Sequence, residues 1–221
     1  MTAPTPRSPR RSDALTRDRI VEAAIEILDE EGESHLTFRA LTSRLSTGAG
    51  ALYHHVANKD ELLAAATDGI IGRELAEVQD DEEPAASIRA TSLRIFDAID
   101  AHPWVGTQLS REPWQPAVIQ IWKVLGTQLQ DIGVTGSARS DAGSALVNYI
   151  LGAAAQYAAG ARRIPDDGDR KAHLEALAAE WTRQDSDPLV HESASLLPEH
   201  EDRAQFLVGV DIFLAGITAR R

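Results

Sequence analysis

The chain has 221 residues, 43% of them hydrophobic and 25% charged, with a formal net charge of −12. This length allows one or two hydrophobic cores. There is no cysteine, which excludes disulfides and thiolate metal sites and predicts a cytoplasmic protein, and no apolar run reaches the roughly 18 residues of a membrane-spanning helix.

The amino-terminal segment, residues 1–14, is rich in proline, serine and threonine and carries Arg7, Arg10 and Arg11. No apolar segment of the kind found in signal peptides follows these arginines. We predict a disordered basic tail. Two interpretations stay open: a solvated terminus, or a basic arm that adds phosphate or minor-groove contacts.

The next predicted element is an amphipathic helix that ends before Gly32. Its apolar residues recur at steps of three and four, at Ile20, Ala23, Ala24, Ile27 and Leu28.

Two short helices joined by a tight turn are predicted after it. Thr37 is placed to cap the first, and the apolar side chains of Phe38, Leu41 and Leu45 fall on its inner face. Residues 46–48, Ser-Thr-Gly, interrupt the pattern, and Gly48 can adopt a cap or a left-handed conformation at little cost.

The second of these helices is predicted over residues 49–55, with Leu52 and Val56 facing inward. Its small residues, at positions 49–51, leave an outer face close to bare backbone, which suits a DNA major groove about 12 Å wide. Asn58 then caps a third helix, with Glu61 in a capping-box position.

Residues 34–59 contain no aspartate or glutamate, although they hold Arg39, Arg44, Lys59 and three histidines. In a chain of net charge −12, this window is typical of a surface that approaches phosphates, because carboxylates would be repelled there. Most of the acidic excess lies further along: residues 1–63 have a net charge of −2 and residues 64–221 a net charge of −10.

The run LSTGAGALYHHVANKDELL, residues 45–63, resembles the signature of the tetracycline-repressor (TetR) family of transcriptional regulators. The matching positions are Gly50, Ala51, Leu52, Tyr53, His55, Val56, Asn58, Lys59, Leu62 and Leu63, and the upstream helix also has the family spacing. The family usually has glycine and then an apolar residue in the turn, where this chain has Ser46 and Thr47.

The resemblance implies an all-α protein, which agrees with the absence of sustained strand alternation in the sequence. It implies a three-helix DNA-binding domain over residues 15–63, with the helix-turn-helix at about 36–55. Residues 64–221 would form a larger helical domain for ligand binding and dimerisation.

The family match and the chemistry of hydrogen-bond donors together predict the DNA contacts. Arg39 is the candidate for a bidentate guanine contact. Phosphate contacts are expected from Thr37, Tyr53, His55 and Lys59, assisted by the backbone amides of Thr47 and Gly48. The groove floor is expected to meet Ala49, Gly50, Ala51 and His54.

The rest of the chain reads as helices at about 60–78, 87–101, 104–109, 117–132, 140–161, 170–183 and 202–221. Residues 80–83 are an acidic loop, and residues 185–199, which contain two prolines, are predicted to be irregular. The helices at 140–161 and 202–221 are rich in glycine and alanine beside aliphatic residues. Such faces suit either intramolecular packing or, as the resemblance implies, a symmetric four-helix dimer interface on a pseudo-palindromic operator.

A small-molecule effector, apolar or aromatic, is also implied by the resemblance. Its predicted lining combines aromatic residues with a few polar groups: Phe96, His102, Trp104, Trp114, Trp122, Asn148, Tyr149, Gln156 and Trp181. Each of these taken alone is more often an ordinary core residue.

No metal, cofactor or catalytic site is predicted. His54 and His55 are adjacent, so on a helix they diverge by about 100° and cannot share an ion. The sequence has no nucleotide-binding fingerprint or nucleophile elbow. We therefore expect a repressor released from its operator by an effector. Two alternatives remain: a constitutive DNA-binding regulator, and a helical binding module with vestigial DNA binding.

Overall fold

The computed structural model describes residues 15–78, 83–164 and 169–219. Throughout these ranges the regular structure is helical. The chain divides into two compact units, Met1–Gly69 and Ile70–Arg221. The elements are α1 (Arg17–Glu30), α2 (Phe38–Arg44), α3 (Ala49–Tyr53), α4 (Lys59–Ala76), α5 (Pro84–Ala101), α6 (Pro103–Arg111), α7 (Pro116–Asp131), α8 (Gly136–Ala161), α9 (Arg170–Gln184), α10 (Pro188–Leu196), a 3₁₀ turn (Leu197–Glu199) and α11 (Asp202–Ala219).

The first unit is built from amphipathic helices with side-chain caps. The Thr16 hydroxyl accepts from the Arg19 N–H at the start of α1, and the Thr37 hydroxyl accepts from the Ala40 N–H at the start of α2. All five apolar residues predicted for α1 are buried, together with Leu41 of α2, Leu52 of α3 and Val56. The predicted amphipathic pattern is therefore confirmed in this unit.

The start of α4 carries the predicted cap, with one difference in its hydrogen bonds. The Asn58 side chain accepts from the Glu61 N–H at 2.8 Å, as a capping box requires. The Glu61 carboxylate accepts in return from the Ala57 N–H at 2.8 Å, one residue before the cap. The predicted domain boundary after residue 63 and the boundary after Gly69 both fall within α4.

The second unit has its core around α8, which packs against α5, α6, α7 and α11. Fully buried aliphatic and aromatic side chains from these helices fill it, including Ile95, Ile99, Ile121, Ile150 and Phe206. Two ion pairs join α11 to α5: Arg203 to Asp97 at 2.9 Å, and Arg89 to Asp211. The pKa of Arg203 is raised by its hydrogen bond with Asp97.

The prediction that residues 185–199 are irregular is wrong. Residues 188–199 form α10 and the 3₁₀ turn, which pack against α9. Pro188 occupies the first turn of α10, where a helix needs no N–H from it, and the Asp187 carboxylate caps the Leu189 N–H at 2.8 Å. The prolines begin helical segments here.

The same property of proline explains why α5, α6 and α7 begin earlier in the structure than the sequence predicts. Pro84, Pro103 and Pro116 lie in the first turn of α5, α6 and α7, respectively. The sequence prediction began these helices one to three residues later because it treated proline as a helix breaker rather than as a first-turn residue.

Candidate nucleic-acid interface

Arg39 is one of the three Lys and Arg residues of the acid-free window, residues 34–59. It lies in the first turn of α2 and is exposed. Its guanidinium makes no hydrogen bond or ion pair with any residue in the described part of the chain. A planar, permanently charged donor fork is therefore presented without an intramolecular acceptor.

Arg44, by contrast, is held by three carboxylates of the first helix and its exit. Its guanidinium lies 3.2 Å from Glu26, 2.5 Å from Glu30 and 3.5 Å from Glu31. The hydrogen bond with Glu30 is the main cause of a raised pKa for Arg44. Sequence spacing alone did not reveal this cluster, because the partners lie 13 to 18 residues earlier in the chain.

Lys59, at the start of α4, already has an acceptor. Its ammonium donates to the Glu33 carbonyl at 2.7 Å and lies 4.0 Å from the carboxylate of the same residue. The contact ties α4 to the loop that follows α1. A phosphate contact by Lys59 would have to add to this arrangement or replace it.

The outer face of α3 is nearly free of side chains. Ala49 and Gly50 are exposed and Ala51 is half-buried. A Cβ atom added at Gly48 or Gly50 would have no neighbour within 4 Å. The backbone of α3 can therefore come close to a broad ligand such as duplex DNA.

Tyr53 ends α3 as an exposed aromatic residue fixed by a neighbour. Its ring is 57% exposed and stacks on Phe38 of α2, with centroids 4.6 Å apart and planes at 11°. Phe38 is half-buried, so the prediction that it faces the core with Leu41 describes only part of its environment. The stack was missed because it joins two helices across the turn.

The turn between α2 and α3 gives Gly48 the first of its two predicted roles, a cap, and uses one predicted phosphate donor internally. The left-handed residue is Ser46, with φ of 50°, whereas Gly48 has φ of −91° and ψ of 151° and caps α3. The Thr47 N–H donates to the Thr42 carbonyl at 3.1 Å. The amide of Thr47 is therefore used within the turn, and only that of Gly48 stays available among the two predicted phosphate donors.

The remaining predicted contact residues lie on the same unit. His54 is exposed and His55 is half-buried, both just after α3. The Thr37 hydroxyl accepts from the Ala40 N–H at 3.1 Å, which leaves its proton to be donated. Among the described residues, the helix pair thus presents one arginine without a side-chain partner, a helix with small side chains and several neutral donors. Positions 34 to 59 include no aspartate or glutamate.

The nine residues predicted to line a ligand site do not surround one cavity. Phe96 and Trp104 are buried, but Trp114 is 88% exposed and Trp181 is 39% exposed. The Trp122 ring lies over Gly143, and the Tyr149 hydroxyl donates to the Phe206 carbonyl at 2.9 Å. The His102 and Trp104 rings lie 6.3 Å apart.

Asn148 and Gln156 face away from the core of the second unit. Both are exposed, and they share an outward face of α8 with Ala145, Gly152 and Ala159. In the single chain, these two predicted lining residues are therefore at the surface and not in a cavity. The aromatic cluster that does form consists instead of Phe96, Tyr149, Tyr157, Phe206 and Phe213. Burial raises the pKa of the Tyr149 and Tyr157 hydroxyls.

The described part of the second unit includes cavities of 660, 480 and 620 Å³, and none of the nine predicted residues lines these three. In the described ranges, no group of three histidine, aspartate or glutamate side chains is arranged to hold a metal ion. The helices described also include none with the length and apolar character needed to cross a membrane.

Comparison with known proteins decides the family. Residues 20–66 match the model of bacterial regulatory proteins of the tetR family. The chain is 30% identical over 176 residues to an HTH-type transcriptional regulator of Saccharopolyspora erythraea, covering 78% of this chain and 74% of the relative. It is 42% identical to the transcriptional regulator SCO7222, a TetR from Streptomyces coelicolor, covering 93% of this chain and 99% of that one with a TM-score of 0.84.

The chain belongs to the TetR family. A third similar structure is the Streptomyces coelicolor TetR family protein ActR in complex with actinorhodin, which is 26% identical, with a TM-score of 0.74 and coverage of 93% of this chain and 98% of that one. The TetR identity of this chain makes it a helix-turn-helix transcriptional regulator, and its relatives are regulators rather than enzymes.

Proposed function

We propose that this TetR-family chain acts as a homodimeric repressor, which leaves a pseudo-palindromic DNA operator when a small-molecule effector binds its second unit. The observation that carries the proposal is the exposed Arg39 guanidinium of α2, which has no partner among the described residues, together with the bare face of α3, the next helix along the chain. This pair offers a base-reading donor and a helix that fits a groove.

The remaining donors suit a sequence-independent grip on the DNA backbone. Thr37, Tyr53, His55 and Lys59 are placed around the two helices, and the Gly48 amide adds a backbone donor. Contacts of this kind fix the register of a protein on duplex DNA but do not read bases. Ala49, Gly50, Ala51 and His54 would then meet the groove floor.

Dimerisation is proposed through α8 and α11. On α11, Val208 and Ile212 are 56% and 67% exposed and share a face with Ala215 and Ala219. Exposed aliphatic residues beside small ones are typical of helix interfaces between subunits. A twofold pair would place two reading heads on half-sites about 34 Å apart, as a pseudo-palindromic operator requires.

Release by an effector is supported by ActR, whose structure holds actinorhodin. In this chain, α4 contributes to both compact units, so binding in the second unit has a covalent route to the first. A coupling of about 1–3 kcal/mol would lower operator affinity roughly 5–150-fold.

The DNA-binding part of the proposal is tested by selecting bound sequences from a random duplex pool and then measuring affinity by fluorescence anisotropy. We expect a palindromic consensus. Arg39→Ala should weaken binding by about 1–3 kcal/mol and relax the preference at one base pair of each half-site.

The control is Arg162→Ala, because Arg162 is also exposed and without a side-chain partner in the described residues but lies in the second unit. It should bind like the native chain. Equal base preferences for native protein and Arg39→Ala would remove Arg39 from base reading, and a native chain that enriches no sequence at low salt would overturn the function.

A further inference from the structure

The largest of the three cavities is a groove of 660 Å³ formed by three helices of the second unit. The end of α4, the start of α5 and one side of α7 line it. Its walls include the aliphatic side chains of Leu75, Pro84 and Val124. A cavity of this volume is within the range of small-molecule sites.

Gln128 of α7 lines this groove and is 7% exposed. Its amide nitrogen donates to the Thr91 hydroxyl at 2.8 Å, but its Oε1 has no hydrogen-bond donor among the described residues. A buried amide oxygen without a donor is unfavourable, because it has lost water and gained nothing in exchange. The groove therefore contains an acceptor that a ligand can satisfy.

The charge and composition of the lining indicate the chemistry of that ligand. Among the described residues that line the groove, Lys123 and Asp131 are ionisable, and their formal charges cancel. The other described lining residues include no aromatic side chain and combine aliphatic residues with four polar ones: Ser87, Gln120, Thr127 and Gln128. This lining suits a neutral molecule with an apolar body better than an ion, because an ion would lose hydration without a net countercharge from these residues.

We propose that this groove binds a neutral molecule with an apolar body that donates one N–H or O–H hydrogen bond to Gln128. The inference rests on the proposed function, because it assigns the effector site of the repressor to α4, α5 and α7. It also changes the expected effector chemistry, because the described lining has no aromatic side chain and combines aliphatic and polar residues around the open acceptor of Gln128.

The test uses 2-naphthol and 2-methoxynaphthalene, which differ in the hydroxyl donor. Each is titrated into the ¹⁵N-labelled full chain, and amide shifts are mapped. We expect shifts at residues 72–78, 84–87 and 120–131, with 2-naphthol binding about ten-fold more tightly than its methyl ether.

Gln128→Leu should reduce the difference between the two probes to less than about two-fold, since the acceptor is gone. The matched control is Gln115→Leu. Gln115 is also 7% exposed and has an unpartnered Oε1, but it does not line the groove. This variant should keep the preference for 2-naphthol.

If Gln128→Leu does not fold, Val124→Phe tests the location of the site instead. The larger side chain should fill the groove and abolish binding of both probes. The proposal is overturned if both probes bind the native chain equally, as they would if Oε1 met only water. It is also overturned if the shifts map elsewhere or are absent at millimolar probe.

Operator affinity without any probe, measured on the same native sample, separates this inference from the proposed function. If the chain binds 2-naphthol through Gln128 but enriches no DNA sequence, the repressor function is refuted and the proposed binding groove is supported. If the chain binds its operator but shows no preference between the probes, the proposed groove is refuted and the DNA-binding function is supported.

Discussion

At the scale of single residues, the turn between α2 and α3 holds a serine in a backbone conformation that favours glycine. Glycine adopts positive φ at low cost, and Gly48 could serve in this turn either in that way or as a cap. In the structure Gly48 caps α3, and the positive φ of 50° falls on Ser46. A side chain in the left-handed region is strained by contact between its Cβ and the backbone.

Ser46→Gly is therefore expected to raise the free energy of unfolding by about 0.5–1 kcal/mol, measured by urea denaturation. Ser43→Gly is the opposite control, because Ser43 lies within α2 and glycine there costs helix stability. If both substitutions destabilise the chain, Ser46 carries no strain that glycine can relieve.

Gly209 illustrates a residue whose missing side chain is needed for packing. A Cβ atom at this position would overlap the hydroxyl and ring of Tyr149, and that hydroxyl donates to the Phe206 carbonyl. Gly209→Ala should therefore lower the free energy of unfolding by about 1–3 kcal/mol, because the Tyr149 ring must move out of a packed cluster.

Calorimetry of Gly209→Ala beside Gly50→Ala checks this expectation. Gly50 has open space around its missing Cβ, so alanine there should be neutral or slightly stabilising for folding. A neutral Gly209→Ala would mean that Tyr149 relocates without loss.

At the scale of elements, the sequence predicted helices where apolar spacing and caps agree, and it failed where proline had two possible roles. The α1 pattern and the caps at Thr37 and Asn58 are local signals, and they appear in the structure as predicted. The segment containing α10 was taken as irregular because the first-turn role of Pro188 depends on its neighbour Asp187.

Asp187→Ala removes the carboxylate that accepts from the Leu189 N–H, so the first turn of α10 should open more readily. A cap of this kind stabilises a helix by about 1 kcal/mol, which corresponds to roughly five-fold faster amide exchange in α10. Hydrogen exchange followed residue by residue measures this effect, and α5 amides in the same sample serve as the reference. Unchanged exchange in α10 would mean that packing against α9 alone holds it.

At the scale of the whole molecule, the long-range contacts were beyond sequence reasoning. The DNA-facing residues could be assigned because they lie in one short segment with a family signature. The tryptophans could not be sorted into core and surface, because Trp104 and Trp114 have similar local sequences but differ in exposure from 8% to 88%. That difference is set by which helices pack against each, and apolar spacing does not contain this information.

The proposed dimer gives the last prediction, since it links the exposed face of α11 to operator affinity. Ile212→Glu places a charge on an aliphatic residue that is 67% exposed in the single chain, so folding should be little affected. Burying that carboxylate in an interface would be unfavourable, and sedimentation velocity should show monomers where the native chain forms dimers. Operator affinity should fall with dimer dissociation, because one reading head loses its partner on the second half-site.

Ile119→Glu, at an α7 position 61% exposed, is the matched control and should stay dimeric. A dimeric Ile212→Glu chain with native operator affinity would place the interface elsewhere.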